Sequence, residues 1–236
     1  MKGASIKKVL ILVTILAVPG FLYYLLQDQG KNRYKPLPFY GPKQVADTYR
    51  TVRGEKIPDT FYHKIRGLDF LNQEGKQVNW DTYKDKIVVF GLFYTDSGDK
   101  HSVKAANSSM QALGASYAKN DIVNFVSVTI DPGHDKPEVL AAYADSLSAK
   151  PNKWNLLTGD STKIFRFLNE QLQIDAHNVY SRGKNNYSYS NYFMLVDPQH
   201  RIRGYYEATN QEAMAKLDDE IKVLIAEVLR NIKDGR

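Results

Sequence analysis

Two short, continuous apolar runs constrain the fold of this chain more than any other feature of its sequence. Ile87–Phe93 and residues 122–130 are rich in β-branched and aromatic side chains, and charged or turn-forming residues bound both runs. Such runs are typical of strands that are covered on both faces, as in a parallel sheet. Residues 102–119, between them, are rich in Ala, Met, Leu and Gln and predict a helix. Strand, helix and strand in this order predict a right-handed crossover and an α/β domain.

Further helices and strands are predicted around this unit. We expect helices starting at Pro137 and over residues 162–172, and a short strand over residues 154–157. Hairpins are predicted over residues 68–78 and 192–206, and apolar residues at helical spacing between Met214 and Val228 predict a last helix. Helices flanking a central mixed sheet give an α/β, thioredoxin-like domain, which we place over residues 57–236.

The N-terminal region contains a separate apolar segment. Residues 9–26 carry no charged side chain, and roughly 20 apolar residues span a bilayer as a helix. The alternative is a cleaved signal peptide, but the apolar run continues past the small residues Ala17 and Gly20. We therefore expect residues 1–8 to form a short cytoplasmic head, residues 9–26 a single transmembrane anchor and residues 27–56 an extended tether. The domain then lies on the outer, periplasmic face of the cytoplasmic (inner) membrane.

The composition excludes several classes of function. Cysteine is absent, which excludes disulfides, thiolate metal sites, thiol oxidoreductase activity and lipoprotein acylation. The formal net charge is +6, and much of the excess flanks the apolar N-terminal run. Basic residues placed there are typical of a membrane-flanking segment, whereas nucleic-acid binding needs a basic stripe on the folded domain. We therefore expect a membrane as one partner and no nucleic acid.

Several short segments carry a resemblance to a known family. They are residues 70–76, 93–95, 126–132, 135, 137–140, 156–159, 195–198 and 202–206. With these segments in this order, the chain from about Leu68 onwards resembles the Sco (Sco/SenC) family, the membrane-anchored, thioredoxin-like copper chaperones of cytochrome oxidase assembly. The resemblance implies a protein partner in the assembly of a respiratory complex.

The resemblance also implies a copper site whose ligands are missing from this chain. Family members carry a Cys-x-x-x-Cys motif shortly after a Thr, and a distant His before the hairpin, and these three residues bind copper. Aligned on Thr95, the cysteine positions are Ser97 and His101, and counting back from residues 195–197 puts the His position at Tyr189. A serine hydroxyl or a phenol is a poor substitute for the soft donors that Cu(I) prefers. We therefore expect a degenerate family member that binds no cofactor, is not an enzyme and acts as a binding or assembly factor.

Two other sites can be assembled from the same loops. Asp96, Asp99, His101 and His134 follow neighbouring strands, whose ends converge in a parallel sheet, and they suggest a weak Zn²⁺ or Cu²⁺ site. Such a rebuilt site is the alternative function, an active metallochaperone. Ser97 with Asp96 and His101 has the composition of a hydrolytic site, but no oxyanion hole can be identified. Ser97 and Asp99 also suit the start of a helix, which we favour over a hydrolytic site, and we favour solvated loop residues over a metal site.

A stretch rich in tyrosine and asparagine precedes the last hairpin. It is either a recognition surface, since tyrosine combines apolar area with a hydrogen-bonding tip, or simply a long loop. Its members are Tyr180, Asn185, Asn186, Tyr187, Tyr189, Asn191 and Tyr192. The remaining histidines, His63, His177 and His200, have no partner spacing and are predicted to lie on the surface.

Overall fold

The computed structural model describes residues 2–29, 36–52, 54–96, 100–181 and 184–233. The chain divides into two units, residues 1–36 and residues 37–236. The first unit contains one helix, α1 (Lys2–Gln29), which includes Pro19. Within the described residues, no helix has both the length and the apolar character needed to cross a bilayer. Residues 9–26 lie within α1, as the helix prediction requires, and the span of a membrane by these residues stays a prediction.

The second unit contains eleven strands and four α-helices among its described residues. In chain order they are β1 (Lys43–Val52), β2 (Glu55–Tyr62), β3 (Asp69–Leu71), β4 (Gln77–Asn79), β5 (Ile87–Phe93), α2 (Lys100–Ser116), β6 (Val123–Thr129), α3 (Pro137–Leu147), β7 (Trp154–Leu157), α4 (Ser161–Arg166), β8 (Ala176–Ser181), β9 (Lys184–Tyr189), β10 (Tyr192–Val196), β11 (Ile202–Glu207) and α5 (Gln211–Lys233). A 3-10 helix (Trp80–Tyr83) follows β4, and a π-helical turn (Phe167–Gln171) continues α4.

The central sheet has five strands in the order β11-β10-β5-β6-β7. Strands β5, β6 and β7 are parallel, and β10 is antiparallel to both β5 and β11. The register pairs Phe93 at the end of β5 with Thr129 at the end of β6. These strands confirm the predicted crossover unit, the mixed sheet and the hairpin over residues 192–206.

Both faces of the sheet are covered, which explains why β5 is apolar at every position. Ile87, Val89 and Phe93 face one core cluster, to which α2, α3 and α5 contribute side chains. Val88 and Phe90 face the other cluster, which includes side chains of β3, β4, the 3-10 helix and α4. All seven residues of β5 are buried, so a strand with a polar face would not fit here.

The structure differs from the sequence-based expectations in three regions. Residues 43–52, placed in the predicted tether, form strand β1 and pair with β2 in an antiparallel ribbon. The tyrosine- and asparagine-rich stretch is not a long loop, since β8 and β9 pair over six residues each. In addition, the helix predicted over residues 162–172 changes to a π-helical turn at Phe167, where the hydrogen bonds widen.

A buried arginine fixes the start of the second unit to the sheet. Arg203, on β11, is fully buried and uses all five of its N–H groups. They donate to the main-chain carbonyls of Leu37 and Pro38, at 2.8 and 3.2 Å, and to the carboxylates of Asp197 and Glu227, at 3.0–3.2 Å. Leu37 is itself buried, so residues 37 and 38 belong to the folded unit rather than to a free tether.

Candidate functional site

A buried carboxylate lies where β5 and β6 end. Asp135 follows β6 and has no solvent exposure. The hydroxyls of Thr95 and Thr129 both donate to it, and the main-chain N–H of Thr95 donates from 3.2 Å. Thr95 and Thr129 are positioned by the two strands, whose carboxyl ends lie side by side in the sheet. This is the edge at which parallel sheets usually bind ligands.

His134 is the fourth donor to this carboxylate. Its Nδ1 lies 3.1 Å from Asp135 Oδ1 and 3.2 Å from the hydroxyl of Thr95. The hydrogen bond to Asp135, together with the charges of Asp135, Asp131 and Asp96, raises the pKa of His134 above its ordinary value. The imidazole itself is about half exposed, at 53%. A cation on this ring therefore faces a buried carboxylate on one side and solvent on the other.

Asp131 shapes the turn that carries both residues. Its main-chain carbonyl accepts from the N–H groups of His134 and Asp135, at 3.2 and 2.8 Å. Its own N–H donates to Thr129 Oγ1 at 3.0 Å, and its side chain accepts from the His134 N–H at 3.3 Å. The turn is thereby held against the end of β6, which fixes the positions of His134 and Asp135.

Tyrosines of the β8–β9 hairpin pack over the same edge. Tyr187 donates its hydroxyl to Asp131 Oδ1 at 2.7 Å, and its ring centroid lies 5.4 Å from that of Tyr94. Tyr189 meets Tyr94 edge to face, with ring centroids 6.2 Å apart. All three rings are partly buried against the sheet core. The ring of Tyr189 thus lies beside Tyr94, the residue that precedes Thr95.

The structure places only some of the sequence-predicted metal ligands. Ser97 and Asp99 lie outside the described residues. Asp96 follows β5 and its charge acts on His134, so these two groups are brought near each other. His101 is exposed in the first turn of α2. Across the described ranges, no group of three or more His, Cys, Asp or Glu side chains is arranged to hold a metal ion.

The remaining histidines have structural contacts that their sequence positions did not indicate. His63 is partly buried, and its Nε2 donates to the Gln171 carbonyl at 2.8 Å. His200 stacks on Trp80 with ring centroids 4.0 Å apart, and burial lowers the pKa of this histidine. Both are partly buried beside another chain segment, so each makes contacts that the prediction of a surface position did not include. His177 is exposed and pairs with Asp175 at 2.5 Å, which confirms its prediction.

The donors at this edge are hard oxygens and one imidazole. A carboxylate offers about four acceptor positions, and those of Asp135 are taken by two hydroxyls, one main-chain N–H and the imidazole. Asp131 likewise accepts from Tyr187. Cu(I) prefers thiolate and imidazole donors, and the chain contains no cysteine. The described residues therefore do not fit a Cu(I) site of thiolate type.

The sequence contained a signal for this network that was not used. Thr95, Thr129 and Asp135 are polar residues at the carboxyl ends of two strands predicted to be adjacent and parallel. The convergence of strand ends that places His134 and the loop aspartates at that edge places the threonines there as well. Asp131 and Asp135 were noted only as part of the family resemblance.

The family that matches this chain matches residues of its second unit. A family model described as SCO1/SenC matches residues 62–225. A protein named SCO1 protein homolog, from Bacillus subtilis strain 168, is 22% identical over 171 residues, which cover 72% of this chain and 86% of the relative. The matched segment includes the whole central sheet, the Asp135 network and the tyrosines of β9.

Solved structures share the same fold. A SCO1/SenC family lipoprotein from Bacillus anthracis strain Ames is 26% identical, with a TM-score of 0.57 over 66% of this chain and 92% of that chain. BsSco, described as a member of the Sco family of cytochrome c oxidase assembly proteins with a disulfide switch, is 21% identical, with a TM-score of 0.58 over 69% of this chain and 93% of that chain.

Proposed function

We propose that this chain, which belongs to the SCO1/SenC family, is an assembly factor for a respiratory cytochrome oxidase. In this proposal it acts by binding a protein partner and not by carrying copper. The family relationship supports the setting, since BsSco is described as a cytochrome c oxidase assembly protein. The absence of copper binding and of thiol redox chemistry is part of the proposal, and it is supported by the lack of any thiol in this chain.

One observation carries the proposal. At the carboxyl ends of β5 and β6, the acceptor positions of Asp135 are filled by groups of the protein itself. The position of the family's histidine holds Tyr189, whose ring packs against Tyr94 instead of pointing a nitrogen at a metal. The edge at which the resemblance places the family's copper carries a hydrogen-bond network and an aromatic cluster. Such a surface suits protein recognition, where tyrosine is enriched.

Attachment to a membrane by α1 is part of the proposal. Its large apolar side chains between Ile11 and Leu22 are 49–69% exposed within the chain. A large exposed apolar surface of this kind marks contact with a membrane or with another protein. We propose that α1 anchors the chain in the cytoplasmic membrane with the second unit on its outer face. Retention of the full chain in the membrane fraction at alkaline pH would support this, and its release would contradict it.

A metal titration tests the central claim. The full chain, purified in a non-ionic detergent, is titrated with Cu(I), Cu²⁺ and Zn²⁺ against a competing chelator. We expect dissociation constants weaker than about 10 µM that His101→Ala and His134→Ala leave unchanged. Submicromolar binding that either substitution abolishes would identify a metallochaperone with a rebuilt His/Asp site instead.

A complementation experiment tests the assembly role separately. Deleting the gene in its host is expected to lower cytochrome oxidase activity, and the wild-type chain should restore it. The His101→Ala/His134→Ala double variant should restore it equally well, since neither side chain is needed for metal. If deletion leaves oxidase activity unchanged, the assembly role is wrong, whatever the titration shows.

A further inference from the structure

A cationic surface lies on the second unit, on segments that do not form the Asp135 network. Two adjoining pockets, of about 520 and 320 Å³, share Arg66 and Gln171 in their walls. Lys64 lines the first pocket, and Lys163 and Arg166 line the second. We call the two pockets together the cationic groove. Its walls come from β1, from β2 and the segment that follows it as far as Asp69, from α4 and from the π-helical turn.

Among the described residues, the cations of the groove form no ion pairs. All four cations are exposed, and across the described ranges none of them lies within ion-pair distance of a carboxylate. Asp69 is the acidic residue in the walls, and it accepts a hydrogen bond from Gln77. Four cations around one concave surface create a positive potential that attracts anionic groups.

The groove is held in shape by internal hydrogen bonds. Gln171, shared by both pockets, accepts from the Arg66 main-chain N–H through its side chain at 2.9 Å. Its main-chain carbonyl accepts from His63 at 2.8 Å. These two hydrogen bonds join the segment after β2 to the π-helical turn at the middle of the groove, so its cations project from a fixed wall. Phe61, 65% exposed at one end, adds an apolar contact surface.

We propose that the cationic groove binds an extended, acidic segment of a partner protein. The cations are spread over two pockets rather than gathered around one point, which matches several carboxylates along a chain better than one compact anion. The surface is concave, which suits a peptide better than a flat lipid surface. The exposed aromatic ring of Phe61 gives such a segment an apolar contact beside its charged ones. The inference does not depend on whether the protein binds copper, since a metal-carrying protein can have the same groove.

Binding of a labelled peptide tests the proposal. The full chain in a non-ionic detergent is mixed with fluorescein-labelled decaglutamate, and the dissociation constant is measured by fluorescence anisotropy at low salt. A neutral glycine-serine peptide of the same length is the comparison probe. We expect decaglutamate to bind at least about tenfold more tightly than the neutral peptide. Equal binding of the two peptides would overturn the proposal.

Two pairs of substitutions localise the binding. Arg66→Glu/Lys163→Glu reverses two charges of the groove, whereas Lys104→Glu/Lys119→Glu makes the same change in net charge at exposed positions elsewhere. We expect the first pair to weaken binding about tenfold or more and the second less than about twofold. Lys64→Gln/Arg166→Gln is a milder pair, which should also weaken binding. It replaces the first pair if that pair disturbs folding. Equal weakening by groove and control pairs would show non-specific attraction and overturn the proposal.

Discussion

Among the described residues of this domain, Arg203 and Asp135 are charged side chains with no solvent exposure, and they are compensated in different ways. Arg203 is surrounded by two carboxylates and two main-chain carbonyls, and its guanidinium lies 4.3 Å from the ring centroid of Phe39. Asp135 is surrounded by two neutral hydroxyls and one main-chain N–H, and its one cationic partner is the half-exposed His134. The first charge is balanced inside the protein, and the second depends on a group that meets solvent.

The Arg203 cluster is a structural site, whereas Asp135 lies at the edge where parallel sheets usually bind ligands. The Arg203 cluster joins β11, the β10–β11 turn, α5 and residues 37–38, so its removal affects several segments at once. The Asp135 network joins only the ends of β5 and β6. A buried polar atom that loses its partner pays the full cost of desolvation, because no water molecule takes the place of that partner. The expected losses of stability below follow from how many buried polar groups each substitution leaves unpaired.

Arg203→Met should cause the largest loss of stability. It leaves Asp197, 1% exposed, and Glu227 without their buried cation, and breaking a buried pair in this way costs about 3–5 kcal/mol. The free energy of unfolding, measured by urea denaturation, should fall by about that amount. The matched control is Arg201→Met, which also removes a partner of Asp197 but leaves Arg203 in place. If both substitutions cost the same, the Arg203 cluster has no special role.

Asp135→Asn should have a smaller effect. The side chain keeps its size, but its NH₂ group now faces a hydroxyl or an N–H that donated to the carboxylate, which costs about 1–3 kcal/mol. The pKa of His134 should also fall towards its ordinary value, since Asp135 is the main cause of its rise. Urea denaturation and an NMR titration of His134 measure the two effects. Asp96→Asn, at an exposed position, is the control and should change stability little.

How much of this could be predicted from the sequence depended on the number of neighbours a residue has. Strands β5 and β6 were predictable because burial on both faces requires an apolar residue at nearly every position. Strand β1 was not, because its side chains are mostly exposed and impose no such pattern. In β9, Tyr187 and Tyr189 are partly buried while Asn186 and Ser188 are exposed, so an alternation was present but was hidden by the polarity of tyrosine.

The two buried charges were beyond prediction for a related reason. Arg203 lies within a strand, and its partners come from residues 37, 38, 197 and 227, which only the tertiary fold brings together. Asp135 and Thr95 are 40 residues apart and meet because the register of β5 and β6 aligns their carboxyl ends. Sequence reasoning located this edge correctly as the place where loops converge, but not which side chains are satisfied there.

Tyr187→Phe should have a modest effect and tests the aromatic cover of the site. It removes the hydroxyl that donates to Asp131 and keeps the ring on Tyr94, so the expected loss is about 1 kcal/mol. Tyr192→Phe, at a more exposed position on the neighbouring strand, is the matched control and should be nearly neutral. Urea denaturation at neutral pH measures both. A larger loss from Tyr192→Phe would mean that the hairpin is not held through Asp131.

His134→Gln should have the smallest effect, and one that depends on pH. Because the pKa of His134 is raised in the folded state, its protonated form stabilises the protein. This contribution is fully present below the unfolded-state pKa of about 6.5 and is lost as the pH rises through the folded-state pKa. The half-exposed ring keeps the effect small, since solvent screens its charge.

The difference in unfolding free energy between wild type and His134→Gln should therefore be greatest in acid and shrink above neutrality. His101→Gln, which changes an exposed imidazole on α2, is the control and should show no such trend. In the Asp135→Asn background the pH dependence of His134→Gln should largely disappear, because the main cause of the raised pKa is gone. A pH dependence that survives there would mean that Asp131 and Asp96, rather than Asp135, stabilise the imidazolium, and the charge of Asp135 would then lack even its one solvent-facing partner.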